Sequence, residues 1–313
     1  MTVKLLSPVK IQPASDEQWK QIRFEGVGAS EIGTLLGVNP YQTPFQLWQL
    51  KTGKTPPFEG NKFTDAGHYL EPAVAQYYQD KTGNRIIKSS AADIIFRHPE
   101  FEFAQCTPDR EYFKTGGGRG LLECKTTQKI IDPEDVPQSW FCQLQYQLGI
   151  CQKDTGAIAW LSRGIDFDFK EWDFNREFFD FMIEKATTFW TYNVMGDIPP
   201  AATRSSDIEL MFEKHAAGKY LEATPELYQL HTDLKAITAT EKEIKEQKDT
   251  IQEQIKLTLR ESEGAKYKGE TLCTWKTPKV GETFDKKALL RDHPAIYAKY
   301  ITPKQNSRRF LLK

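Results

Sequence analysis

One short apolar segment that carries two charges, Gly120-Leu121-Leu122-Glu123-Cys124-Lys125-Thr126, places the tightest constraint on this chain. Successive side chains of a β-strand alternate between faces, so Glu123 and Lys125 project together and Cys124 projects to the opposite side. The two leucines and Cys124 read as the buried part of the strand. A carboxylate and an ammonium at the mouth of an apolar strand are costly unless they pair, hold a metal or do chemistry. Upstream, Thr107-Pro108-Asp109 puts another acid at the end of an apolar run. Between them, Gly116-Gly117-Gly118-Arg119-Gly120 reads as a hairpin connection; it holds no G-K-[ST] and so no phosphate-binding P-loop. Asp…Glu-x-Lys is the spacing of a metal-dependent phosphodiesterase site.

A chain of 313 residues has room for one large domain or two smaller ones. Its net charge of −1 argues against a uniformly basic nucleic-acid coat but allows a local patch. From residue 264 to the end, 12 Lys/Arg stand against 4 Asp/Glu, so this end either touches something anionic or is a solvated tail. Cys106, Cys124, Cys142, Cys151 and Cys273 include no C-x-x-C pair and read as buried free thiols in a reducing cytosol. The five histidines have no ligand-like spacing. No apolar run reaches transmembrane length and no export signal is visible, so a cytoplasmic protein without membrane association is expected.

Along the chain, Ser15 caps a helix that carries Trp19, Ile22 and Arg23. Gly26-Val27-Gly28-Ala29-Ser30-Glu31-Ile32 reads as a tight turn capped by Ser30 into a second helix. Such a helix start suits a phosphate, although on this feature alone an ordinary cap is the favoured reading. Thr43-Pro44 opens a third helix, and residues 64–82 form a fourth, with Glu71 at the edge of its apolar stripe. Short strands are expected at 85–88, 93–96, 101–104 and 112–114. A helix from Gln138 buries Phe141, Leu144, Leu148 and Ile150 and leaves Gln143 and Gln145 off the stripe. A strand at 156–161 with a hairpin partner at 167–172 and an aromatic helix over 175–194 complete this part. Residues 197–224 are linker-like. From Pro225 to about Gly264, Leu230, Ile237, Ile244 and Ile251 repeat every seven residues, and Leu227, Leu234 and Ile255 form a second register broken by Glu241 and Lys248. That pattern predicts one long helix or a helical hairpin with a coiled-coil-like seam. Strands at 271–276 and 308–312 flank a helix at 285–291.

Hydrolysis of a phosphodiester needs a positioned water, charge relief on the non-bridging oxygens and a stabilised leaving oxygen, which one or two hard divalent cations supply. Asp109 and Glu123 offer carboxylates, the main-chain carbonyl of Cys124 a further ligand, and Glu71 a place for a second metal or its water. Lys125 would adjoin the attacking water, lowering its pKa or stabilising the developing charge.

The pattern Asp109…Glu123-Cys124-Lys125 resembles the PD-(D/E)xK nuclease signature. Arg23…Gly28-Ala29-Ser30-Glu31-Ile32, Asn39-Pro40-Tyr41, Leu47-Trp48, Leu70-Glu71-Pro72 and Trp140…Gln143-Leu144-Gln145 fall around it in an order similar to the YqaJ viral-recombinase, lambda exonuclease-like family over residues 17–200. The resemblance implies a mixed α/β (α+β) core of restriction-endonuclease type, a central mixed sheet flanked by helices, in a nuclease domain over 1–204. Residues 205–313 are then an extension with a helical element at about 225–263 and a small basic α/β tail. It implies an Mg2+-dependent 5′→3′ exonuclease, with Mn2+ able to substitute, that resects double-stranded DNA ends to 3′ overhangs for recombination. The partners implied are a single-strand annealing or single-strand-binding protein and, as one option, a homo-oligomeric ring trimer. Arg23 and Ser30 match the family's 5′-phosphate residues; Glu71, Asp109, Glu123 and Lys125 match its catalytic set, and Gln145 rather than Gln143 is the expected glutamine. Arg110 departs from the glycine that many members carry after the aspartate. The competing readings are an endonuclease or 3′→5′ nuclease of the same fold, and a non-catalytic DNA-end-binding scaffold.

Overall fold

The computed structural model describes residues 7–87, 94–279, 281, 283–302 and 308–313. The chain forms two compact units, Met1–Met211 and Phe212–Lys313. Lys88 and Asp93, both expected in strands, lie outside the described residues.

In the first unit, β1 (Val9–Ile11) leads to α1 (Asp16–Phe24), which Ser15 caps as expected by accepting the Gln18 N–H at 3.3 Å. After β2 (Val27–Gly28) comes α2 (Ala29–Leu35). Its N-cap is Gly28, not Ser30, because the Glu31 carboxylate reaches back to accept the Gly28 N–H at 2.7 Å and takes over the capping role. Ser30 is left exposed inside the first turn. The helices α3 (Pro44–Lys51) and α4 (Lys62–Thr82) are opened by Thr43 and Asn61. Short strands β3 (Arg85–Ile87), β4 (Ile95–Arg97), β5 (Ala104–Cys106) and β6 (Arg110–Phe113) follow. The alternating run at 101–104 is mostly a turn: His98 Nδ1 accepts the N–H groups of Glu100 and Phe101, and the chain becomes extended only at Ala104.

The strand β7 (Arg119–Thr127) contains the Glu-x-Lys segment and is the longest in the chain's described residues. It pairs antiparallel with β6 across the glycine-rich connection, Arg110 opposite Leu122. The helix α5 (Gln138–Cys151) then crosses to β8 (Thr155–Ser162), which runs parallel to β7, and β9 (Asp166–Asp173) returns antiparallel. The result is a mixed five-stranded sheet in the order β3-β6-β7-β8-β9, beside a four-stranded sheet β1-β4-β5-β2. Leu122, Ala157, Ala159 and Leu161 pack on Val74 and Tyr78 of α4. Leu121, Ile158 and Trp160, on the opposite face, belong to the larger core with Leu144 and Leu148 of α5. Thus β7 and β8 are sandwiched between helices, and Glu123 faces α5. The aromatic helix α6 (Arg176–Thr188) passes into a π-helical turn, Phe189–Met195, whose Asn193 carbonyl accepts the Trp48 indole N–H at 3.0 Å. The unit ends with α7 (Ser205–Met211), fastened by the buried Asp207, which accepts the Thr43 hydroxyl at 2.7 Å.

The second unit consists of α8 (Pro225–Leu259), the hairpin β10 (Gly264–Tyr267) and β11 (Glu270–Thr274), and the helices α9 (Lys286–Asp292) and α10 (Pro294–Tyr300). The heptad stretch is one continuous helix, and residues 308–313 form no strand.

Gly26 is set by a close approach: Val27 donates to the Phe103 carbonyl at 2.7 Å, and a Cβ on Gly26 would meet that oxygen at 2.2 Å. Gly26→Ala is expected to lose about 2 kcal/mol of unfolding free energy in urea denaturation, since backbone must move to admit the methyl group.

Candidate active site

The acids are brought together by the β6–β7 pairing. Asp109 immediately precedes β6, and its Oδ2 accepts the Cys124 backbone N–H at 2.7 Å. Burial pushes its carboxyl well above the usual aspartate range, with the Glu123 charge adding to the shift. Glu123 is 3 % exposed. Its Oε1 accepts from Lys125 Nζ at 2.7 Å and from Gln143 Nε2 at 2.5 Å; its Oε2 accepts from Gln147 Nε2 at 2.8 Å. Lys125 also donates to Gln143 Oε1 at 2.8 Å, closing a triangle of three side chains. Burial opposes the Lys125 charge, but Glu123 and Asp109 outweigh it and hold the lysine above its ordinary range.

Gln145 lies outside this triangle. It is fully buried, donates to the Asp173 carbonyl at 2.9 Å and accepts the Asn175 N–H at 2.8 Å, bracing the passage from β9 into α6. The α-helical period explains the difference: Gln143 and Gln147 are four residues apart and share the face over β7, whereas Gln145 is turned to the other side. Gln147 was not singled out from the sequence, although its i+4 spacing from Gln143 carried the signal.

Glu71, on α4, forms an ion pair with Arg110 Nη1 at 2.5 Å, and the same nitrogen donates to the Asp109 carbonyl at 2.6 Å. Arg110 therefore bridges two acidic residues of the site. Among the described residues, no three His, Cys, Asp or Glu side chains form a ready cation cage.

Two clefts meet at the carboxylates, and both are lined by His68, Glu71, Asp109 and Glu123. The inner one, about 250 Å³, is also lined by Trp19, Arg23, Ser30, Gln105 and Gln143. The outer one, about 760 Å³, is lined by Tyr41, Phe63, Lys125 and Lys129. His68 is exposed one helical turn before Glu71, a position that sequence reasoning passed over. In the inner cleft, Arg23 stacks over Trp19 at 4.6 Å, and its Nη2 approaches Ser30 Oγ at 3.5 Å. The Arg23 carbonyl is held from two sides, by Lys51 Nζ at 2.8 Å and Gln105 Nε2 at 2.9 Å. Lys51 is buried and pairs with the α2-capping Glu31 at 2.8 Å, so one ion pair ties α1, α2 and α3 together behind the cleft.

Residues 18–157 match the YqaJ-like viral recombinase domain. The chain is 30% identical over 310 residues to the uncharacterized protein YqaJ of Bacillus subtilis (strain 168), covering 96% of this chain and 94% of that protein. Among solved structures, an alkaline exonuclease (LHK-Exo) from Laribacter hongkongensis aligns at 15% identity with a TM-score of 0.45, over 58% of this chain and 93% of that one. A phage-related exonuclease from Haemophilus somnus 129PT aligns at 14% identity with a TM-score of 0.42, over 55% and 95%. With near-complete coverage of a relative at this identity, and with the domain match spanning every acidic and basic residue of the two clefts, the chain belongs to the YqaJ family of viral-recombinase-type proteins.

Proposed function

We propose that this protein is a metal-dependent DNA exonuclease that removes nucleotides from the 5′ end of linear duplex DNA. The 3′ overhang left behind would pass to a single-strand annealing or single-strand-binding protein in recombination. The observation that carries this reading is the Glu123–Lys125–Gln143 triangle with Asp109 beside it, at the junction of two clefts whose inner end holds Arg23 and Ser30.

The donor set suits a divalent cation. Asp109 and Glu123 are oxygen donors, and burial first and the Glu123 charge second raise the Asp109 carboxyl, a cost that a cation between them relieves. Asp109, Glu123 and the Cys124 carbonyl would hold it, and Glu71 a second one or its water, with Mg2+ the expected ion and Mn2+ able to replace it. Bound there, the cation supplies charge relief to the phosphodiester and an acidified water. Glu123 is kept in one orientation by three donors, so its carboxylate is fixed before substrate arrives. Lys125, held as an ammonium, stabilises negative charge developing at the scissile phosphate. The Arg23 guanidinium, fixed by Trp19 and by the grip on its carbonyl, binds a terminal phosphate with the Ser30 hydroxyl. Tyr41 and Phe63, both well exposed at the outer cleft, offer faces for bases splayed from the duplex end.

Nucleotide release from linear duplexes bearing a 5′-phosphate or a 5′-hydroxyl, with Mg2+ present, tests the polarity. Release should be at least tenfold faster from the phosphorylated end, and Arg23→Ala should abolish that preference; equal rates in the unaltered protein would refute the assignment. The two glutamines should separate cleanly. Gln143→Leu is expected to lower the turnover of the folded fraction about a hundredfold, with about 1–2 kcal/mol of stability lost because the buried Glu123 carboxylate loses a donor. Gln145→Leu is expected to lose about 1–2 kcal/mol in urea denaturation, with the activity of the folded fraction retained.

A further inference from the structure

Arg110 opens β6, and its register partner on β7 is Leu122. Cross-strand partners project to the same face of a sheet, and Tyr112, two residues on, shares that face. Leu122 and Tyr112 belong to one core cluster with Val74 and Tyr78 of α4. Glu71 lies three residues before Val74 and seven before Tyr78, so α4 turns it toward the sheet at the end of the same stripe. The strand period and the helix period thus deliver one cation and one anion to one place. There, Arg110 Nη1 is 2.5 Å from Glu71 Oε1 and 2.6 Å from the Asp109 carbonyl oxygen. The two side chains are only 18 % and 20 % exposed.

We infer that the Arg110 guanidinium is a built-in cation at the place a second metal ion would take, so that the site works with a single divalent ion held by Asp109, Glu123 and the Cys124 carbonyl. A carboxylate oxygen and a main-chain carbonyl oxygen are the donors a hard cation selects, and Nη1 touches both at distances close to the roughly 2.3–2.6 Å of Ca2+–oxygen contacts. A metal ion drawn to the same two oxygens has to expel that nitrogen. The guanidinium keeps its charge at every working pH, so it does not yield the place by losing a proton. Expulsion would also strip a mostly buried cation of both acceptors, a costly state. Arg110 is therefore a positioning residue. It acts through Glu71, whose charge it neutralises, and through the main chain that presents the Asp109 carboxylate. Of the two roles open to Glu71, this excludes a second metal and leaves the orientation of water. The inference rests on the metal-dependent reading of the site, and it fixes the number of ions which that reading leaves open.

Titration of the full chain with Mn2+, followed by calorimetry and by electron paramagnetic resonance, counts bound ions without reference to turnover. The unaltered protein should bind one ion per chain and give the spectrum of an isolated ion. Arg110→Ala frees Glu71 and the Asp109 carbonyl, and should bind a second ion that broadens the spectrum by coupling to the first. Adding Glu71→Gln to that variant should return the count to one. Glu71→Gln alone, which needs no loss of the arginine, should keep its single ion with affinity changed by less than about tenfold, as for an outer-shell partner. Two ions in the unaltered protein, a single ion in folded Arg110→Ala, or loss of the ion in Glu71→Gln overturns the inference and leaves the metal-dependent reading standing. No bound ion in the unaltered protein refutes that reading itself, and the inference with it.

Discussion

The buried Glu123 carboxylate is the interaction on which the rest of the site depends. A carboxylate at 3 % exposure is tolerable only because three side chains donate to it, and these donors come from two separate constraints of the fold. Lys125 is supplied by the two-residue period of β7. Gln143 and Gln147 are supplied by the four-residue repeat of α5, the helix that links two parallel neighbours, β7 and β8. The sheet cannot form its parallel pair without a crossover, and the crossover helix supplies two amide donors to the carboxylate that the sheet buries, while Lys125 on the strand supplies the opposite charge.

The same economy appears at the inner cleft. Glu31 caps α2 through Gly28 and pairs with the buried Lys51; Lys51 in turn fixes the main chain at Arg23. Burial pushes the Lys51 amine down, and the Glu31 carboxylate beside it resists that shift. The side chains behind the cleft therefore do structural work that leaves the Arg23 guanidinium and the Ser30 hydroxyl free to face it. Arg110 acts in a related way on the outer side, occupying the negative field between Glu71 and the Asp109 main chain.

How much of this was legible in the sequence varied with the physical signal. Strand alternation has only two faces, so the shared side of Glu123 and Lys125 could be read directly, as could the hairpin through Gly116–Gly118 that returns Asp109. The glutamine of α5 could not be read from hydrophobicity, because residues 144–151 are buried on every side and the helix lacks a polar face. Only the i+4 relation between Gln143 and Gln147 distinguishes the face over β7. Ser30 looked like a cap because serine favours that position, but the helix begins two residues earlier, with Gly28 as its N-cap and the Glu31 carboxylate accepting the Gly28 N–H. The Arg110 bridge depends on a contact with α4 that no local pattern encodes. In the second unit the heptad spacing was plain, whereas the continuity of the helix through polar Glu241 and Lys248 rests on their strong helix propensity rather than on burial.

In the proposed function, Lys125 and the acids around it form a reacting centre and not merely a neutralised cluster. The most direct measurement is nucleotide release from a 5′-phosphorylated linear duplex by Lys125→Ala at saturating Mg2+, with DNA affinity measured in parallel. The account predicts a fall in turnover of at least about a hundredfold with affinity changed by less than about threefold. Turnover equal to that of the unaltered protein would contradict it.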